Sequence, residues 1–230
     1  RTNTIFNKDY DEMLIYGYGS DGMVTTSKDI LTIVGENTDK FVQGYFEYDS
    51  KKSGGVTKSH LRFSNNPIRS TYYVENPKIV VCSKDTYLNK FDMIDNILDN
   101  GVFILNTEHD NIKLPKNYID IIKRRNVKVY TINASEIARI NDIPNKISII
   151  MEMVIMYLAN LMDIKDAKKY IEDMVRKNFS KKGEDVVNSN LKALENAISS
   201  IKEEDIDTIL EFDREEVKDN IFSLLEHDKK

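Results

Sequence analysis

The chain has 230 residues, of which 40% are hydrophobic and 31% charged, with a formal net charge of -5. That composition can build a packed core, so a disordered chain is excluded, and the acidic balance argues against a general nucleic-acid binder. One cysteine, Cys82, makes no internal disulfide and cannot supply the four thiolates of an iron–sulfur cluster.

Residues 1–12 are polar and read as a linker arriving from upstream. The chain opens on Arg1 without a signal peptide or an initiator methionine, as an excised piece of a longer protein would. Met13-Leu14-Ile15-Tyr16 is the first strand, and a helix is expected from Asp21 to about Ile30. Leu31 to Gly35 reads as that helix's last turn or a short strand. Val42 to Tyr48 and Val56 to Phe63 read as strands around the loop Lys51-Lys52-Ser53-Gly54-Gly55. Arg69 to Val74, bracketed by Pro67 and Pro77, reads as another short strand.

Lys78 to Ser83 is a near-continuous apolar run, as in a central strand covered on both faces. Cys82 within it reads as a buried, reduced thiol, which suits a cytoplasmic compartment. Asp85 to Leu98 is expected to be helical, with Leu88, Phe91, Ile94 and Leu98 on one face. Val102 to Asn106 is strand, Tyr118 to Arg125 helix, and Val127 to Ile132 strand. Alternating strands and helices imply parallel pairing with right-handed crossovers.

After Asn133 the pattern is helical. Ser135 is expected to cap a short helix to Asn141, and Lys146 to Met162 forms a helix that is apolar nearly all round. Ser148, Glu152 and Asn160 within that run favour a buried helix over a membrane span. Asp163 is a good N-cap for the next helix, and Val187 to Ile201 marks another. The fold class is therefore α/β: a three-layer α/β/α domain with a mostly parallel, mixed sheet and a helical C-terminal half. The expected boundaries are a linker over 1–12, the domain over 13–202 and an acidic tail of short helices over 203–230.

The residues that suit chemistry lie in two glycine-rich stretches. Gly17, Gly19 and Gly22 follow a G-x-G-x-x-G spacing between the first strand and its helix, where backbone N–H groups face anions. Asp49 to Gly55 adds Lys51 and Lys52 beside flexible backbone, suited to phosphate oxygens. Asp21 complicates this, because a carboxylate at a helix start competes with a phosphate; it is either a cap or a contact for a neutral ligand group. A nicotinamide site is disfavoured, since no acidic residue ends a second strand at the expected distance. His60, His109 and His227 lack metal-ligand spacing, and His60 reads as structural or solvent-facing. No nucleophile elbow, Walker motif or zinc pattern is present.

Tyr16-Gly17-Tyr18-Gly19-Ser20-Asp21-Gly22, Gln43-Gly44-Tyr45-Phe46, Tyr48-Asp49-Ser50-Lys51-Lys52-Ser53-Gly54-Gly55-Val56-Thr57, Ser59-His60-Leu61-Arg62-Phe63 and Pro67-Ile68-Arg69-Ser70 follow one another in a specific order. Together they resemble the gamma-type domain of pyruvate:ferredoxin (flavodoxin) oxidoreductases, over roughly residues 10–200. The resemblance implies an enzyme that converts pyruvate and coenzyme A to acetyl-CoA and carbon dioxide while reducing ferredoxin or flavodoxin. It places thiamine diphosphate, Mg²⁺ and the [4Fe-4S] clusters in other domains of a homodimeric polypeptide and leaves this domain inert alone.

The resemblance also implies that coenzyme A is contacted here by Gly19, Ser20, Asp21, Gly22, Met23, Lys51, Ser148 and Asn190. The chain departs from the family pattern at Met23 (usually Thr), at Thr25-Thr26 (usually Gly-Ala) and at Ser148 (usually Asn). Two other readings are a scaffold domain of such an assembly that binds no ligand, and the related domain of a sulfite reductase-type flavoprotein.

Overall fold

The computed structural model describes residues 10–49 and 55–214. Its centre is a mixed sheet built from β1 (Tyr10–Tyr18), β2 (Phe41–Tyr48), β3 (Val56–Ser64), β4 (Ile79–Cys82), β5 (Val102–Asn106), β7 (Lys128–Ile132) and β8 (Lys202–Glu204). The order across the sheet is β2-β3-β1-β4-β5-β7-β8. Strands β1, β4, β5 and β7 are mutually parallel, whereas β2, β3 and β8 join antiparallel. A second, two-stranded sheet pairs β6 (Lys113–Pro115) with β9 (Leu210–Phe212).

Alternation along the central strands sends side chains to two separate cores. Met13, Ile15, Ile79, Val81 and Ile104 face a helical layer of α1 (Met23–Asn37), α3 (Ala134–Ile140), α4 (Ser148–Ala159), α5 (Ile164–Phe179) and α6 (Glu184–Ser199). Leu14, Tyr16, Val80, Cys82, Phe103 and Leu105 face the opposite layer, formed by α2 (Lys116–Arg125) and the segment between β4 and β5. The expected three-layer α/β/α arrangement with a helical second half is therefore what forms. Helix α4 is only 12 residues long, and no helix of the described residues is long and apolar enough to cross a membrane.

Four local expectations give way to tertiary structure. Leu31 to Gly35 is neither a last turn nor a strand: α1 continues to Asn37, and Thr38 closes it by donating its hydroxyl to the Val34 carbonyl at 2.6 Å. The stretch Asp85 to Leu98 is not a helix; only Asp85–Asn89 makes a 3-10 turn. Asp92, Asp95 and Asn96 sit in it, and such residues compete with helical hydrogen bonds. Its carbonyls find side-chain partners instead: Phe91 accepts from the Tyr118 hydroxyl at 2.6 Å and from Arg214 at 2.7 Å, and Leu88 accepts from Arg214 at 2.8 Å.

Arg69 to Val74 is not a strand either. Its backbone is held by two side chains from β3. Arg62 donates to the carbonyls of Thr71 and Tyr73, and His60 Nδ1 accepts from the Val74 amide at 3.0 Å. The cap of α3 is Asn133 rather than Ser135: Asn133 Oδ1 accepts from the Glu136 amide at 2.9 Å. Asp163 caps α5 as expected, accepting from Lys165 at 2.8 Å.

The tail corrects the boundary expectations. Residues 203–214 are not short helices. β8 extends the main sheet beside β7, and β9 covers β6. Thr131 donates to Glu204 across the β7–β8 pair at 2.6 Å, so the acidic run is partly an edge strand rather than a detached tail. At the other end, Tyr10 to Glu12 belong to β1, not to a linker. Residues 1–9 and 215–230 lie outside the described residues.

Candidate functional site

The turn from β1 into α1 is shaped by Asp21. Its carboxylate accepts from the Tyr18 amide at 2.7 Å, from the Met23 amide at 3.0 Å and from the Ser83 hydroxyl at 2.5 Å. Its own amide donates to the Tyr18 carbonyl at 2.9 Å. Burial pushes the carboxyl above its usual pKa, and the three donors oppose that shift. Asp21 thus knots the turn together and ties it to the end of β4. Gly22 adopts the left-handed region, with φ 81° and ψ 9°, so the chain can double back into the helix.

The amides of Ser20, Gly22, Val24 and Thr25 meet no acceptor among the described residues. Val24 and Thr25 belong to the first turn of a 15-residue helix, where orphan N–H groups and the helix dipole favour negative charge. The Gly19 amide is used differently: it donates to the Gly55 carbonyl at 3.2 Å, so the two glycine-rich stretches are in direct contact. This follows from register, because Tyr18 faces Val56 across the β1–β3 pair. Lys51, expected to supply the cation beside this contact, lies outside the described residues.

Ser148 is brought to the turn although 126 residues separate it from Gly22. A Cβ placed on Gly22 would stand 2.8 Å from Ser148 Cβ, and Thr26 Oγ1 donates to the Ser148 carbonyl at 2.9 Å. The start of α4 therefore rests on the start of α1. Met23 is buried in the helical-side core and contributes its backbone, not its side chain, to the turn. Asn190 is buried in α6 and donates back to the Val186 carbonyl at 2.8 Å; no described hydrogen bond joins it to the turn.

Beside the turn, a crevice of about 540 Å³ opens at the carboxyl ends of the parallel strands. Tyr18, Ser20 and Asp21 after β1, Ser83 and Lys84 after β4, and Thr107 after β5 are among its lining residues. The chain leaves β1 toward β2 and β3 on one side and returns to β4 on the other, so this is the point where strand order reverses. Open α/β sheets bind ligands at such points.

Lys84 holds its ammonium 4.0 Å from the centre of the Tyr18 ring, a cation–π contact at the crevice. Sequence reasoning missed Lys84; its signal was its place just beyond the end of an apolar central strand. Asp85 accepts from Thr107 at 2.8 Å, with His109 Nε2 3.7 Å away.

Binding chemistry is better equipped here than bond-making. Burial pushes the Cys82 thiol up to about 12, which leaves it unreactive. His60 is tied into structure, as expected. Because Nδ1 accepts from Val74, the proton sits on Nε2, which donates to Glu47 at 2.8 Å. Burial holds its pKa below the usual value despite Glu47. No group of three or more metal-ligating His, Cys, Asp or Glu side chains occurs among the described residues.

The family model for pyruvate ferredoxin/flavodoxin oxidoreductase matches residues 12–200. The pyruvate:ferredoxin oxidoreductase of Moorella thermoacetica is 36% identical over 192 residues, covering 82% of this chain and 16% of that protein. The probable pyruvate-flavodoxin oxidoreductase of Escherichia coli is 36% identical over 205 residues, covering 87% of this chain and 18% of that protein. The chain thus spans less than a fifth of the length of these relatives.

Among solved structures, the pyruvate oxidoreductase subunit PORC of Thermotoga maritima superposes with a TM-score of 0.67 at 21% identity, covering 86% of this chain and all of that one. A 2-oxoglutarate:ferredoxin oxidoreductase of Magnetococcus marinus, solved with 2-oxoglutarate, coenzyme A and succinyl-CoA bound, gives 0.64 at 16% identity, covering 91% of this chain and 34% of that one. At those identities the two structures speak for the fold.

Proposed function

Because the chain belongs to the pyruvate ferredoxin/flavodoxin oxidoreductase family, we propose that it is a coenzyme A-contacting domain of a longer pyruvate:ferredoxin or pyruvate:flavodoxin oxidoreductase. In that reaction pyruvate and coenzyme A give acetyl-CoA, carbon dioxide and a proton, and two electrons pass to ferredoxin or flavodoxin. Thiamine diphosphate with Mg²⁺, and the [4Fe-4S] clusters that carry the electrons, are assigned to other domains of a homodimeric cytoplasmic polypeptide. One cysteine cannot ligate such a cluster. The domain's task is then to hold coenzyme A so that its thiol meets an intermediate formed elsewhere. Separated from the rest, it forms no acetyl-CoA from pyruvate, and acetyl-CoA formation by the separated domain would overturn that assignment.

The observation that carries this reading is the β1–α1 turn. Its amides at Ser20, Gly22, Val24 and Thr25 are unclaimed by described residues, and Ser148 is packed on Gly22. These groups suit the pyrophosphate of coenzyme A, to which Lys51 would add charge. Asp21 does not block this, since its carboxylate is turned onto Tyr18, Met23 and Ser83.

In the full-length enzyme, Lys51→Ala should raise the KM for coenzyme A roughly tenfold or more, the effect of losing one charge-assisted hydrogen bond. The KM for pyruvate should stay at its original value. A KM for coenzyme A that does not move would favour the second reading, a scaffold domain, for which Asn190, hydrogen-bonded within α6, is the supporting observation.

A further inference from the structure

Helix α4 carries a buried acid that neither the fold nor the β1–α1 turn accounts for. Glu152 is 4% exposed, and its Oε1 has no hydrogen-bond partner among the described residues. A buried polar atom left unpaired costs about 1–3 kcal/mol, so its presence in an otherwise apolar helix calls for a reason. Glu152 lines a cavity of about 90 Å³ between α1, α4 and α5. Asp29, Thr25, Ser148 and Asn178 supply the other polar lining, and Met174 and Phe179 belong to its apolar wall.

Two spacings explain this placement. Thr25 and Asp29 are four residues apart on α1, as are Ser148 and Glu152 on α4, so each pair shares a helix face. The two helices meet where Gly22 touches Ser148, so the cavity adjoins the turn. Burial, and then the Asp29 charge, push the Glu152 carboxyl well above its usual pKa. Burial raises Asp29 as well. Two carboxyls in one low-dielectric cavity do not both ionise readily, and burial favours the neutral form of the deeper one. A protonated carboxyl offers one O–H donor and one C=O acceptor side by side.

We propose that the Glu152 cavity is a subsite of the coenzyme A site, where the carboxylic acid pairs with a neutral ligand group that presents an N–H donor beside an acceptor. The inference rests on the coenzyme A reading above. Coenzyme A carries that chemistry on the amino edge of its adenine, where N6–H lies beside N1; its pantetheine amides are trans and hold N–H and C=O on opposite sides. A partly apolar wall with a neutral donor–acceptor group in it suits that adenine edge better than a phosphate or a bare carboxylate.

The test uses the full-length enzyme with coenzyme A and with 1,N6-ethenocoenzyme A, whose adenine edge is blocked. Glu152→Leu should raise the KM for coenzyme A about tenfold while the KM for pyruvate keeps its value. Glu152→Gln, which retains a donor beside an acceptor, should stay within about threefold of the parent. The melting temperature of Glu152→Leu should be equal to or above the parent's, because an unpaired buried acid is gone, which separates a ligand role from a folding role.

If the adenine edge is the partner, the parent enzyme discriminates against the etheno analogue and Glu152→Leu treats both alike. A parent enzyme that treats both cofactors alike overturns the subsite. An unchanged KM in Glu152→Leu, or an equal loss in Glu152→Gln and Glu152→Leu, overturns the subsite. Lys51→Ala measured alongside separates the two failures. A loss there with none in Glu152→Leu removes the subsite alone, and no loss in either removes the coenzyme A reading itself.

Discussion

Arg62→Met should lower the stability of the domain by about 3–5 kcal/mol, the range expected when one partner of a buried ion pair is removed. Arg62 and Glu12 are 2% and 3% exposed, and Arg62 Nε donates to Glu12 Oε1 at 3.0 Å. The rest of the guanidinium is engaged as well. Nη1 donates to Gln43 Oε1 at 2.9 Å and to the Thr71 carbonyl, and Nη2 donates to the Tyr73 carbonyl at 2.5 Å.

Methionine fills part of the volume but leaves the Glu12 carboxylate buried without this cation, and frees the segment around Thr71 and Tyr73. Adding Glu12→Leu to Arg62→Met should recover part of the loss, because the buried carboxylate goes with it. The loss over 69–74 should remain. Chemical denaturation of the chain and its variants reads both effects, and a loss under about 1 kcal/mol for Arg62→Met would contradict the assignment.

Gly22→Val should damage the site far more than Gly19→Ala. Valine at φ 81° is strained by about 1–3 kcal/mol, and its Cβ would stand 2.8 Å from Ser148 Cβ. Relief requires α1 and α4 to move apart, which disperses the turn amides and opens the wall shared with the Glu152 cavity. In the full-length enzyme the KM for coenzyme A should rise well over tenfold, more than in Lys51→Ala, since several contacts shift together.

Gly19→Ala is the internal control. A Cβ there meets nothing nearer than the Gly55 carbonyl oxygen at 3.6 Å, so the change should alter stability by less than about 0.5 kcal/mol. Equal effects of the two substitutions would mean that the turn is not packed as described.

That contrast marks the reach of the sequence. The G-x-G-x-x-G spacing located the turn, but not which glycine is constrained by a neighbour far away in the chain. Strands β1, β4 and β5 were legible because each feeds both cores and is apolar at successive positions. The helix expected over Asp85 to Leu98 failed because Leu88, Phe91 and Ile94 do face a core, while Tyr118 and Arg214 supply the hydrogen bonds that a helix would otherwise provide. Arg62 and His60 deceive in the same way at Arg69 to Val74.

Asp21 showed its capping geometry in the sequence, but its tie to Ser83 depends on the crossover to β4. The meeting of Ser148 with Gly22 could be anticipated only through the family resemblance, since helix-to-helix contacts at long separation leave no periodic trace. Asn190 keeps its hydrogen bond inside α6, so its expected part in binding rests on the resemblance alone.

Amide hydrogen exchange of the full-length enzyme, with and without coenzyme A, tests the central claim most directly, because it reports which backbone N–H groups the ligand covers. Coenzyme A should slow exchange in peptides spanning Gly19 to Thr25 and the start of α4 at Ser148, whereas pyruvate alone should leave them unchanged. Saturating coenzyme A that protects other domains and leaves these two stretches at their ligand-free rates would contradict the account.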